Sequence, residues 1–253
     1  MKKRLDVLLV ERGLAESRAQ AQALVMAGRV PGFAKAGQQV DETAELELTA
    51  PARFVSRGGE KLDHALDVFA VAVAGRTAID VGASTGGFTD VLLQRSAERV
   101  IALDVGRGQL HERVREDPRV TVMERVNARR LTELPFAPDL VVADVSFISL
   151  RQALPPVLRL ARPAWEAVVL VKPQFEAGRA DVKGGVVRDQ EVRARVLREL
   201  ADAALAWEAA TLGMTDSGLP GPKGNRESFL HLVHDPKPER PAELDDWIAD
   251  AVG

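Results

Sequence analysis

The sequence predicts an α/β protein: a doubly wound sheet with a small α+β unit in front of it. Three observations carry this expectation. Five continuous apolar runs have the look of parallel strands buried on both faces, helical segments alternate with them, and a glycine-rich turn, Gly82 to Gly87, directly follows the first run. Sheets wound in this way hold ligands at the carboxyl ends of their strands.

Taken in order, "RLDVLLVERGLAESRAQAQALVMAGRV" reads as two short helices separated by Gly13. Ser17 with Gln20 three residues later forms a capping-box pattern, Ala21, Leu24 and Val25 follow at helical spacing, and Gly28 ends the second helix, expected from Arg18 to Ala27. In "VPGFAKAGQQVDETAELELTA" turn residues and β-branched alternation predict short strands, with "AELEL" the cleanest. This first unit spans residues 1–50. "APARFVSRGG" combines proline and two glycines at a change of composition, which predicts a linker over 51–60 and leaves 61–253 for the main domain. From Arg57 onward helix and strand patterns alternate. The expected strands are "TAIDVG", "RVIALDVG", "VTVME", "DLVVADV", "AVVLVKP", "EAATLGM" and "SFLHLV"; helices are expected at Gly86–Gln94, Leu110–Arg115, Leu150–Ala161 and Asp189–Trp207.

Composition removes several functions. With no cysteine, the chain has no disulfide framework, no thiolate metal site and no thiol nucleophile, and nothing in it calls for a metal. Asp6, Glu11 and Arg12 interrupt the apolar start before a signal-peptide core forms, and no apolar run reaches the roughly 18 residues of a membrane helix, so a cytoplasmic protein without a membrane partner is expected. A net charge of −3 argues against a uniformly basic nucleic-acid binder, although residues 1–35 hold seven Lys or Arg against three acids, compatible with a local phosphate-contacting surface.

In "AIDVGASTGGFTDVLL" glycine allows the backbone to approach a ligand, and the following helix presents free N–H groups. The spacing Gly82-x-x-x-Gly86-Gly87 is not the dinucleotide pattern, which disfavours a nicotinamide enzyme. Asp104 ends the second strand, where an acid can accept both hydroxyls of a ribose. A nucleoside with a non-phosphate tail is implied. Together these residues resemble class I S-adenosylmethionine-dependent methyltransferases. The resemblance implies a Rossmann-like sheet in which Gly82, Ser84, Gly86, Gly87 and Phe88 line the methionine and ribose part, Asp104 holds the ribose, Asn127 lies near the adenine and Asp144 borders the cofactor. Many such families carry an acid where this chain has Asn127.

The choice of methyl acceptor rests on polar residues at strand ends. Asp144 ends "DLVVAD", Lys172 ends "AVVLVK", Lys61 lies on the helix before the first strand with Arg57 one turn earlier, and Glu227 begins the last strand. A ribose hydroxyl needs a proton acceptor, and a lysine serves when desolvation and cationic neighbours weaken its hold on its own proton. Lys172 is the candidate base, positioned by Asp144, with Lys61 orienting the hydroxyl and Glu227 fixing Lys61. Base methylation fits less well: carbon-five pyrimidine chemistry needs a cysteine, and exocyclic-amine methylases carry a proline-rich turn where this chain has "DVSF".

The order Lys61, Asp144, Lys172, Glu227 is similar to the Lys-Asp-Lys-Glu tetrad of FtsJ-like ribose 2′-O-methyltransferases. The segments "SRGGEKL", "DVGASTGGFTD", "ADVSFISL", "LVKPQFEAGR", "KGGVVRD" and "GPKGNRES" together resemble the TlyA, or hemolysin A, family of bacterial ribosomal RNA cytidine 2′-O-methyltransferases, over nearly all of residues 55–234. The amino-terminal part is similar to the RNA-binding module named after ribosomal protein S-four. The resemblance implies S-adenosylmethionine as cofactor and ribosomal RNA or ribosomal subunits as partner, with Arg4, Arg18, Arg29 and Arg57 as the cations placed to meet phosphates. After Val30 the family continues with a longer hairpin containing Asn-Gly, and here "PGFAKAG" is shorter. Whether "KGGVVRD" forms a lid is open at this level. Two rivals stand beside this reading: a cytolysin, suggested by the hemolysin name alone, and a non-catalytic RNA-binding assembly factor.

Overall fold

The computed structural model describes every residue except Met1, Ala27, Ala50, Pro51 and Pro222. The chain divides into two compact units, residues 1–53 and 54–253.

In the first unit, β1 (Lys2–Arg4) pairs antiparallel with β2 (Gln39–Asp41), and α1 (Leu5–Glu11) and α2 (Arg18–Met26) pack beside them. Leu5, Leu9, Ala21, Val25 and Val40 form the core. The expected end of α2, Ala27, lies outside the described residues, as do Ala50, the expected end of the first unit, and Pro51 of the expected linker. Gly13, at φ +68°, makes the turn between the helices. Ser17 Oγ accepts the Gln20 N–H at 3.2 Å, and the Gln20 carboxamide returns a bond to Glu16 N–H at 2.6 Å. One expectation fails here. The stretch "AELEL" is not a strand, and the strand that pairs with β1 lies a few residues earlier. Its alternation is nevertheless physical: Leu46 is buried while Glu45 and Glu47 are exposed, so an extended segment laid along the core has period-two burial without a ladder.

The second unit opens with α3 (Arg57–Val68), which begins inside the stretch expected to be a linker. It continues through β3 (Thr77–Val81), α4 (Gly87–Gln94), β4 (Arg99–Asp104), α5 (Glu112–Arg115), β5 (Val120–Glu124), β6 (Leu140–Ala143) and α6 (Leu150–Leu158). After these come β7 (Glu166–Val171), α7 (Pro173–Glu176), α8 (Gln190–Leu205), β8 (Ala209–Asp216), β9 (Ser228–His234) and α9 (Leu244–Val252). The strands form one sheet in the order β5-β4-β3-β6-β7-β9-β8, parallel except for β9, which runs antiparallel to both neighbours. Side chains alternate across it. Ile79, Val141 and Val169 pack with α6, α8 and α9 on one face, while Ala78, Val142 and Val168 pack with α3 and α4 on the other. This is the doubly wound α/β architecture the apolar runs predict.

Helix ends differ from expectation for local reasons. α5 starts at Glu112 because His111 Nδ1 accepts the Arg113 N–H at 3.2 Å and caps it. α6 stops at Leu158, and Leu160 and Ala161 continue only as tighter three-residue turns. α9 comes from the acidic tail, where Leu244, Ile248, Ala251 and Val252 supply a buried helical stripe among aspartates.

Candidate active site

The chain leaves β3 toward β4 and β5, then returns to place β6 on the other side, so a crevice opens where the carboxyl ends of β3, β4 and β6 meet. Gly82, immediately after β3, has φ +88°, and a Cβ there would come within 2.6 Å of the Asp144 carbonyl oxygen. Only glycine lets the two strand ends touch. Beyond them lies a cavity of about 560 Å³, bordered by Gly82, Ser84, Asp104, Asn127, Asp144 and Phe147. A smaller hollow of about 180 Å³ shares Gly82, Ser84 and Asp144 with it and reaches Asp80, Gly87 and Phe88.

The expected cofactor residues divide into two groups. Gly82, Ser84, Gly87, Phe88, Asp104, Asn127 and Asp144 line these spaces. Gly86 lines neither: it turns the chain at φ +91°, and a Cβ on it would strike Leu110 at 2.8 Å, so it serves the packing of α4. Phe88 reaches the hollow from the core, its ring 6.0 Å from that of Phe229. Asp104 is held rigidly, accepting the Ser84 N–H at 2.8 Å and the Gly106 N–H at 2.6 Å. The Asn127 carboxamide accepts the Arg129 N–H at 3.0 Å and caps a short 3-10 turn.

The four polar strand-end residues form two ion pairs. Lys61 Nζ donates to Glu227 Oε2 at 2.6 Å, with 8% and 1% of their side-chain surfaces exposed. Lys172 pairs with Asp144 and donates to Ser146 Oγ at 3.0 Å. Val171 stands opposite Ser228 in the β7–β9 ladder, so Lys172 leaves the sheet beside the point where Glu227 enters it, and Gln174 Nε2 reaches Glu227 at 3.4 Å. The antiparallel direction of β9 is what brings an acid from its amino end to the carboxyl edge of its neighbours.

Of the expected phosphate contacts, Arg57 donates to the Pro220 carbonyl at 3.1 Å on this second unit. In the first unit, Arg4 and Arg18 both grip the buried Asp6, at 2.9 and 3.2 Å, and Gln22 joins them at 3.0 Å. The Arg4 hydrogen bond leads in holding the Asp6 carboxyl far below the usual carboxylate range, against its burial. Arg29 donates to the Thr49 carbonyl.

Sequence reasoning missed three residues. Asp80, fully buried, is among the residues around the smaller hollow: Oδ2 accepts the Thr89 N–H at 2.9 Å and the Thr89 hydroxyl at 2.7 Å, while Oδ1 has no hydrogen-bond partner among the described residues. Burial pushes its pKa up to about 7, the Thr89 hydroxyl opposes this, and the charge of Asp144 adds to it. The signal was visible as an acid inside an otherwise apolar strand. Phe147 is 90% exposed at φ +63°, its ring 5.0 Å from that of Phe175, and nothing in "DVSF" announces that backbone. Asn225 is buried, accepts the Val187 N–H and donates to the Gly185 carbonyl, both at 2.9 Å, and so pins the "KGGVV" turn to the loop that leads into Glu227.

The family model described as FtsJ-like methyltransferase matches residues 54–234, the whole stretch that carries this edge. The chain belongs to the FtsJ-like methyltransferases. Residues 3–30 of this family member also match the S4 domain. Over 240 residues it is 50% identical to the 16S/23S rRNA (cytidine-2'-O)-methyltransferase TlyA of Mycobacterium tuberculosis, spanning 90% of this chain and 89% of that protein. Also over 240 residues, it is 47% identical to a Bacillus subtilis protein provisionally named an rRNA methyltransferase, spanning 91% and 85%. Among solved structures, a Streptococcus thermophilus protein provisionally named a hemolysin superposes with a TM-score of 0.77 at 40% identity, covering 99% of this FtsJ-like chain and 95% of that one.

Proposed function

We propose that this FtsJ-like enzyme transfers the methyl group of S-adenosylmethionine to a ribose 2′-hydroxyl, that of a cytidine, in ribosomal RNA in the cytoplasm. The observation that carries the reading is the pairing of two lysines with two acids, one of which, Asp144, lines a nucleoside-sized cavity. The names of the M. tuberculosis and B. subtilis relatives support the RNA class, and the S4 domain supports a docking role for the first unit, where Arg4 and Arg18 keep much of their surface outward while gripping Asp6.

The residues present suit the cofactor. Asp104, already fixed by two backbone N–H groups, offers its carboxylate to ribose hydroxyls; the bare Oδ1 of Asp80 suits an ammonium; and the missing Cβ of Gly82 leaves backbone room between them. S-adenosylmethionine supplies an electrophilic methyl group. Lys172 takes the proton that the attacking hydroxyl loses, and Asp144 and Ser146 orient its Nζ. Lys61, fixed by Glu227, donates to the same hydroxyl and holds it in line. Phe147 lines the cavity, and the Phe175 ring packs against it.

Incubation with methyl-labelled S-adenosylmethionine and separated ribosomal subunits, followed by alkaline hydrolysis, tests the reading. Label in an alkali-resistant dinucleotide supports it. RNA binding without label would favour an assembly factor, and lysis of red cells by the pure protein would favour a cytolysin.

A further inference from the structure

The four-residue helix α7 and its cap grip the loop that leaves β6 at successive points. Lys172, the cap, holds Asp144 and Ser146; the Phe175 ring lies against Phe147; and Glu176 closes the series. Oε2 of Glu176 accepts the Ser149 hydroxyl at 2.5 Å, and Oε1 accepts the Leu150 N–H at 2.7 Å. That amide is one of the free donors at the start of α6, and Ser149 is its cap, so a buried carboxylate fixes where the loop ends and the helix begins.

Between the two anchored ends the backbone is strained. Phe147 occupies the left-handed region, which a bulky side chain adopts only when its surroundings impose it. Its side chain, 90% exposed, cannot supply that constraint by burial. Asp144 N–H, bonded to the Val81 carbonyl at 2.9 Å, holds the entrance, and Glu176 holds the exit. Ser146, Phe147 and Ile148 line the larger cavity, whereas Glu176 lines neither space.

We infer that Glu176 is a positioning residue for methyl transfer: by clasping Ser149 and Leu150 it forces the strained turn at Phe147 and so sets Ser146 against Lys172 and Phe147 against Phe175. This rests on the ribose-methylation reading. Glu176 acts without lining the cavity.

The test uses the full chain carrying Glu176→Ala, Glu176→Gln, Phe147→Gly, and the Ala and Gly changes together. Hydrogen exchange at the 146–150 amides should rise in Glu176→Ala while strands β3 and β4 stay protected. Its kcat should fall at least about 10-fold at saturating RNA and cofactor, in line with a displaced reacting group. Glu176→Gln should recover to within about 3-fold, since a carboxamide still accepts from Leu150 and meets the Ser149 hydroxyl. Glycine takes the left-handed region freely, so once Phe147→Gly is present the further loss from Glu176→Ala should shrink to under about 3-fold. Unchanged exchange at 146–150, or a full additive loss in the double variant, overturns the inference. An unaltered chain that methylates no ribose defeats the functional reading instead, and the exchange comparison still decides Glu176.

Discussion

Thr89 closes one oxygen of the Asp80 carboxylate with two hydrogen bonds, and the other has no hydrogen-bond partner among the described residues. At a pKa of about 7 the carboxyl is half protonated near neutrality, and an ammonium docked on the bare oxygen favours the charged form. Affinity for S-adenosylmethionine should therefore rise as pH increases through about 7 and level off above it. Asp80→Asn should weaken binding and flatten the profile, as read by calorimetry from pH 6 to 8. The ligand-free fold shows the opposite trend for this group: an unfolded Asp titrates near 4, so the stability that protonated Asp80 contributes is fully present below about pH 4 and is lost as pH rises through about 7.

Gly82→Ala places a methyl group 2.6 Å from the Asp144 carbonyl oxygen on a backbone at φ +88°. The ends of β3 and β6 must separate. A stability loss of about 1–3 kcal/mol is expected, together with weaker cofactor binding, measured by thermal unfolding with and without S-adenosylhomocysteine. Equal melting temperatures and equal ligand shifts would contradict the close approach.

Lys172 decides the chemistry. Lys172→Ala should keep cofactor affinity while methyl transfer falls at least about 100-fold, the lower range for losing a general base. Lys172→Arg should not restore it, because a guanidinium stays protonated. Normal turnover by the arginine variant, or a methylated base as the product of the unaltered chain, would exclude this lysine as the acceptor of a ribose proton.

Each unit has its own buried core, so a chain beginning at Phe54 should still bind cofactor. Its RNA affinity should drop and depend less steeply on salt, since the phosphate contacts of the first unit release counterions. Matching salt slopes for the two chains would remove the first unit from RNA docking.

The main sheet was legible because a strand buried on both faces needs apolar residues at consecutive positions, and β3, β4, β6 and β7 have them. Lys61, Asp144, Lys172 and Glu227 stood out in the sequence as polar residues at or near strand ends, to which the resemblance added their order; the Lys61–Glu227 pairing depends on β9 running backwards, which no local pattern encodes. β1 was not legible, because three residues reading Lys-Lys-Arg carry no apolar period at all. "AELEL" misled because alternation reports burial on one side, whichever element produces it. Phe147 stayed hidden for a different reason: its backbone is imposed by neighbours outside its own stretch of sequence.

The Lys61–Glu227 pair spans 166 positions of the chain. At ribosomal speeds of about 5–20 residues per second, Lys61 emerges roughly 8–33 s before its acid exists. Strands β3 to β7 can assemble around the cavity in that interval, but the lysine then has no buried counter-charge to fix it.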